Sequence, residues 1–195
     1  MKIWLTEQNW PWKPDKYRFA AEQMLLTLFP GEKPGYPDTP YLDTSAPTAP
    51  DGEPWVALTL HRGEKLSCVT AQVEQGGRRG RGVARFPSEK LDELDEQVYH
   101  TVSHALKQAF YRAGTALLGH ELPWGSLTGV RPVKLPTRAL LAGKTPREAE
   151  RELRETYRVS PPRAALAVEC AQAALDVKRD LADDGMARYS GIPFC

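Results

Sequence analysis

The sequence predicts an α+β fold, a small antiparallel-rich sheet with two covering helices, followed by an α-helical connector. Three observations carry this expectation. Residues 55–75 alternate between apolar and polar positions with the period of a strand, interrupted by the compact turn Arg62-Gly63-Glu64. Residues 16–29 and 89–118 repeat their apolar positions with the period of a helix. After residue 120 the alternation stops, and proline-led helix starts follow one another.

In chain order, Lys2 to Thr6 reads as a short strand with Ile3 and Leu5 on one face. Asp15 can cap a helix from Lys16 to Phe29, with Tyr17, Ala21, Met24, Leu25 and Leu28 in its stripe and Phe29-Pro30-Gly31 ending it. Trp4, Trp10 and Trp12 are expected to serve packing rather than base stacking. Residues 30–54 are rich in proline and have no sustained apolar face, so a mobile loop is expected there. Two strands follow, Trp55 to Arg62 and Lys65 to Gln75. In the second, Leu66, Cys68, Thr70 and Gln72 oppose Ser67, Val69, Ala71 and Val73, which makes Cys68 a small, buried or half-buried strand residue.

"GGRRGRGVARF" then reads as a flexible basic tip leading to a third strand, Gly82 to Phe86. Its arginines, Arg78, Arg79, Arg81 and Arg85, are of the type that grips phosphates in arginine- and glycine-rich RNA-binding segments. A stand-alone RNA-binding module is therefore one alternative, with a solvated hairpin tip favoured over it. The helix from Glu89 to Leu118 carries Leu91, Leu94, Val98, Val102, Ala105, Ala109, Ala113 and Ala116 on one face. His100 and His104 stand one turn apart, a spacing that lets two imidazoles share a metal, but no third ligand or H-E-x-x-H pattern accompanies them.

In the connector, Pro132 can open a short helix that Pro136 would bend or shorten. Thr145-Pro146-Arg147-Glu148 is a capping box, predicting a helix from Pro146 to Tyr157. Ser160-Pro161-Pro162 starts the last helix, with Leu166, Cys170, Ala173, Val177 and Leu181 on one face. That spacing makes Cys170 a core residue, and Asp183-Asp184-Gly185 ends the helix.

Composition narrows the function classes. Twenty-six Lys and Arg against twenty-five Asp and Glu leave a net charge of +1, so no overall field draws nucleic acid or an anionic membrane. No apolar run approaches the roughly 20 residues of a membrane span, and the first residues lack the order of a secretory signal. Three cysteines, Cys68, Cys170 and Cys195, make no disulfide framework, and a cytoplasmic setting without membrane contact is expected.

Two stretches resemble a known family. "GIPFC", with Tyr189 two residues before Gly191, is similar to the first barrel strand and loop of radical S-adenosylmethionine enzymes of the oxygen-independent coproporphyrinogen III oxidase type. "LPWGSLTGVRPVKL", Leu122 to Leu135, lies upstream of it with a helical stretch between, as in the coproporphyrinogen dehydrogenase branch of bacilli and clostridia. The resemblance covers essentially the whole chain and corresponds to the amino-terminal portion of such an enzyme.

The resemblance implies a division into residues 1–120, an accessory α+β domain; 121–183, the helical connector; and 184–195, the first strand and loop of a (β/α) barrel whose remainder is missing. It implies that Cys195 is the first ligand of a 4Fe–4S cluster in the motif Cys-x-x-x-Cys-x-x-Cys, and that Tyr189 lies beside S-adenosylmethionine. Gly191 stands where the better-known branch has histidine, so that histidine's role does not carry over. In the family, reductive cleavage of the cofactor gives a 5′-deoxyadenosyl radical that takes hydrogen from a propionate, which becomes a vinyl group as carbon dioxide and an electron leave. Thiolate ligation of iron permits the low potential this needs, and the cofactors carry the hard step.

The implied partners are a tetrapyrrole with four carboxylates, an electron donor and the missing carboxy-terminal barrel. This chain by itself, with one cluster cysteine, is expected to be inactive and to bind neither cofactor. Arg131 and Lys134, at a helix start, are candidate contacts for a propionate or for the barrel; an ion pair of Arg131 between layers is the structural alternative. A related radical S-adenosylmethionine or haem-handling protein with another substrate is the other enzymatic alternative. Exposed apolar surface is expected on the last helix where the barrel would pack.

Overall fold

The computed structural model describes residues 1–6, 10–37, 53–93, 95–128 and 131–180. It divides into two compact units, Met1–Gly129 and Val130–Cys195. The first unit therefore extends past the break expected after residue 120. The physical link is Tyr111, whose hydroxyl accepts the Leu122 N–H at 3.0 Å while Leu122 packs on the core.

The first unit is an α+β layer. Its sheet has the order β1-β2-β3-β4, with β1 Lys2–Leu5, β2 Trp55–His61, β3 Leu66–Gln75 and β4 Arg78–Pro87. β1 and β2 run parallel, and the other two pairs are antiparallel hairpin neighbours. Helix α1, Arg18–Leu28, follows a 3-10 turn at Pro14–Tyr17, and α2, Asp95–Leu118, follows another at Ser88–Leu91. Both helices thus begin later than their apolar stripes suggest, because proline and short polar residues favour the tighter turn first. The stripe of α2 also drifts: Ala116 is exposed and Leu117 takes its place in the core.

One sheet face, built by Ile3, Val56, Leu58, Leu60, Val69, Ala71, Val73 and Ala84, is buried in a single core with α1 and α2. β3 shows the expected alternation, with Cys68 half-buried on the opposite face. On that opposite face Trp4, Trp55 and Ala57 form a separate buried cluster. The tryptophan rings there meet edge to face at 6.5 Å. Packing is thus what Trp4 does, and Trp10 is likewise buried against Tyr17 at 4.9 Å.

The Arg-Gly stretch is not a flexible tip. The turn consists of Gly76 and Gly77, whose φ values of 58° and 73° suit a tight two-residue hairpin, and every residue from Arg78 onward is strand. The strand glycines have a packing reason. A Cβ on Gly80 would overlap the carbonyl oxygen of Ala113. One on Gly82 would overlap that of Ala109 and stand 2.6 Å from the Ala113 amide nitrogen. Small residues on both partners therefore let α2 lie directly on β4, and α2 donates back through Arg112 to the Val83 carbonyl oxygen. Arg79, Arg81 and Arg85 alternate with those glycines and are exposed, which leaves charge along an edge strand where it discourages pairing with another sheet.

Residues 38–52, most of the expected mobile loop, lie outside the described residues. What precedes them is tied down rather than loose. The Met1 ammonium donates to Glu32 Oε2 at 2.7 Å and to the Lys33 carbonyl oxygen at 2.9 Å. Gly35 bridges Lys2, and the Tyr36 hydroxyl donates to Glu22 Oε1 at 2.9 Å under the Arg18 guanidinium.

The second unit packs α3, Lys134–Leu141, α4, Pro146–Tyr157, and α5, Pro161–Asp180. Pro136 does not interrupt α3. It occupies the first turn, where an N–H has no intrahelical acceptor, and its ring is buried. The helix starts two residues after Pro132, with Val133 as its cap. α4 begins as its capping box dictates: Thr145 Oγ1 accepts the Glu148 N–H at 3.3 Å, and Glu148 Oε2 accepts the Thr145 N–H at 2.8 Å. It ends at Arg158, whose φ of 57° is left-handed.

α5 corrects the sequence reading. Its buried residues are Ala164, Ala167, Val168 and Ala171, while Leu166, Cys170, Ala173 and Val177 are exposed. Cys170 is not core. Both stripes have helical spacing, and alanine makes the buried one the less conspicuous. Leu181 and residues 183–185 lie outside the described residues.

Replacing Gly82 with alanine is expected to destabilise the protein by about 1–3 kcal/mol, the range for overfilling a packed contact, in urea unfolding followed by circular dichroism. An unchanged midpoint would mean that α2 does not lie on the β4 backbone. Thr145→Ala should cost about 1 kcal/mol through the lost cap. The Glu148 carboxyl is held below the ordinary range by the Thr145 N–H first and its hydroxyl second. Its contribution is therefore complete above the unfolded glutamate pKa and lost as pH falls through the lower folded value. Glu148→Gln should flatten that part of the acid-unfolding profile, and an unaltered profile would refute the cap's titration.

Candidate functional site

Four residues were expected to carry chemistry or recognition. Tyr189 and Cys195 lie outside the described residues. Arg131 and Lys134 stand at the entry to α3, where the Arg131 carbonyl oxygen accepts the Lys134 N–H at 3.0 Å. One short turn thus brings the two cations together, and both side chains are exposed. Among the described residues no carboxylate forms an ion pair with either. They flank the entry to α3, where the Lys134 N–H is already bonded and Pro136 has none to offer.

The α2 histidines do not build a metal centre. The His100 side chain is 70% exposed, and its Nε2 is 3.6 Å from Glu96 Oε1 one turn back. His104 is half-buried beside Gln108, with 3.3 Å between its Nε2 and Gln108 Nε2. Burial, and then the nearby Lys107 charge, push the His104 pKa down, which favours neutral imidazole. Among the described residues, no three His, Cys, Asp or Glu side chains come together as ligands.

The β4 arginines offer charge without a stacking surface. Arg79 is engaged with Glu74 at 2.6 Å across the hairpin. Arg81 and Arg85 face Gln72 and Cys68 on β3. The tryptophans of the same sheet face, Trp4 and Trp55, are buried against one another, so their rings are not offered to a base.

A feature the sequence reading did not isolate is the aromatic group around Tyr17. Its ring stacks on Tyr99 at 5.7 Å and contacts Trp10, and Trp12 lies 6.3 Å away. The Tyr17 hydroxyl is buried without a hydrogen-bond partner among the described residues, and burial raises its pKa. Tyr17 is legible as a stripe residue of the helix expected from Lys16, and it closes the 3-10 turn before α1. Tyr99, on another helix, has no local signal linking it to Tyr17.

No protein-family model matches the chain. It is similar to the oxygen-independent coproporphyrinogen-III oxidase-like protein HemZ of Bacillus subtilis (strain 168), with 26% identity over 142 residues, 72% of this chain. The chain spans 28% of that relative's length. Among solved structures, protein VC0702 from Vibrio cholerae matches 52% of this chain and 73% of its own, with a TM-score of 0.33 and 17% identity. No helix among the described residues is long and apolar enough to cross a membrane.

Zinc is expected to leave the melting temperature unchanged, since two histidines of such different exposure have no third ligand. A zinc-dependent rise that His100→Ala abolishes would restore the metal reading.

Proposed function

We propose that this chain is the amino-terminal portion of an anaerobic, cytoplasmic coproporphyrinogen III dehydrogenase, a radical S-adenosylmethionine oxidoreductase of haem biosynthesis. The observation that carries the reading is the similarity to the Bacillus subtilis coproporphyrinogen-III oxidase-like protein across 142 residues. The Trp-Gly-x-Leu-Thr-Gly-x-Arg-Pro-x-Lys element of residues 124–134 and the Ile-Pro-Phe-Cys ending agree with it.

In this reading the complete protein oxidatively decarboxylates propionates to vinyl groups, giving protoporphyrinogen IX, and takes its electron from a separate donor. Cys195 is the first ligand of a 4Fe–4S cluster and Tyr189 adjoins S-adenosylmethionine. Two further cysteines, four and seven residues beyond Cys195, complete the ligand set. Without them the 195-residue chain binds no cluster and is inactive. The described residues supply orientation rather than chemistry. Arg131 and Lys134 present guanidinium and ammonium donors to a propionate of the substrate or to a carboxylate of the adjoining barrel.

The test is anaerobic conversion of coproporphyrinogen III by the complete polypeptide with S-adenosylmethionine and a reductant. Formation of protoporphyrinogen IX with loss of carbon dioxide is expected, and Cys195→Ala should abolish it. A purified, iron-loaded protein that cleaves S-adenosylmethionine yet leaves the tetrapyrrole intact would overturn the substrate. Arg131→Ala should weaken substrate binding by roughly tenfold, the scale of one charge-assisted contact. Unchanged affinity and turnover with lowered stability alone would remove Arg131 from recognition.

A further inference from the structure

We propose that the exposed face of α5 formed by Leu166, Cys170, Ala173 and Val177 is a docking surface for the part of a longer polypeptide that follows α5. This rests on the reading that the chain is the amino-terminal portion of such a protein. The face itself is a property of the described residues.

α5 is apolar on two sides. Ala164, Ala167, Val168 and Ala171 are buried, and α5 packs on α3 and α4. At 3.6 residues per turn, the centre of the second stripe lies about 140° around the helix from the first. Leu166 is 42% exposed and Val177 62%, and Cys170 is exposed between them. A surface helix of a two-layer domain has one apolar stripe, and a helix with two belongs between layers.

Length gives the second argument. α5 has 20 residues against 12 in α4. Beyond Ala171 no residue through Arg179 is fully buried, and Leu175 alone is half-buried, so α5 packs less closely over its last two turns than over its first three. Arg179 pairs with Asp176 there at 2.8 Å.

The occupant follows from continuity. The chain spans 28% of the length of its curated relative, so a protein of that size has ample chain to cover a stripe of this length. A segment tethered directly to the end of α5 meets this face at an effective concentration of order millimolar, well above that of a second copy in solution.

Cys170 reports on the face directly. Peptide-resolved mass spectrometry would follow its alkylation by N-ethylmaleimide in the 195-residue chain and in the complete polypeptide, both anaerobic. The reaction is expected to be at least about tenfold slower in the complete protein, where opening must precede attack. Leu166→Asp with Val177→Asp should restore the fast rate there, while leaving the melting temperature of the 195-residue chain unchanged.

Equal rates in the two unsubstituted proteins would overturn the docking surface. So would a slow rate in the 195-residue chain, at all concentrations if its own residues cover the face or on concentration if a second copy does. A loss of stability in the doubly substituted short chain would assign the stripe to internal packing. An endogenous product whose intact mass stops at residue 195 overturns this inference together with the enzymatic reading. A longer product with a reactive Cys170 overturns the docking alone.

Discussion

The contact between α2 and β4 is the constraint on which the first unit depends. A helix and a strand ordinarily stand apart by the depth of two side-chain layers. Here Gly80 and Gly82 remove one layer, while Ala109 and Ala113 thin the other. Helix backbone therefore rests against strand backbone, and Arg112 bonds the Val83 carbonyl oxygen. Placing α2 so closely also sets its neighbours. Gly114 admits the Leu28 side chain of α1, and Tyr111 holds the Leu122 N–H at the start of the Leu-Pro-Trp-Gly segment.

The arginines of β4 acquire their meaning from the same contact. Strand geometry sends alternate residues to opposite faces, so glycines that must meet α2 force Arg79, Arg81 and Arg85 outward together. Their clustering is a consequence of period-two geometry along an exposed edge. Charge on that edge disfavours sheet extension. This explains a basic stripe in a chain whose total charge is close to neutral without requiring a polyanion.

The second unit follows a different logic. Its helices are specified locally, by proline at early positions, by the Thr145–Glu148 box and by a left-handed cap at Arg158. Its buried face is mostly alanine, which brings helices close but contributes little apolar area. Such a unit has modest stability from its own core. Of the larger apolar residues of α5, Val168 belongs to that core while Leu166 and Val177 are exposed.

Local chemistry determined much of this protein. The capping box placed α4 to the residue, the alternation of residues 66–73 assigned both faces of β3, and the periodicity of residues 89–118 identified the central helix, whose regular part begins at Asp95. These signals act over one turn or one hairpin, where neighbouring side chains are the whole cause. Three outcomes belonged to the tertiary structure. Gly80 reads as part of a flexible tip and Gly82 only as the first residue of a strand, because α2, arriving from elsewhere in the chain, gives both their packing role. Pro136 read as a breaker because its effect depends on where the first turn begins. Cys170 read as core because α5 offers two stripes of equal period, and the choice between them was made by α3 and α4. Of the site, Arg131 and Lys134 were legible as a pair from their spacing, but their exposure was not, since accessibility depends on everything that packs around a residue and no local pattern encodes it.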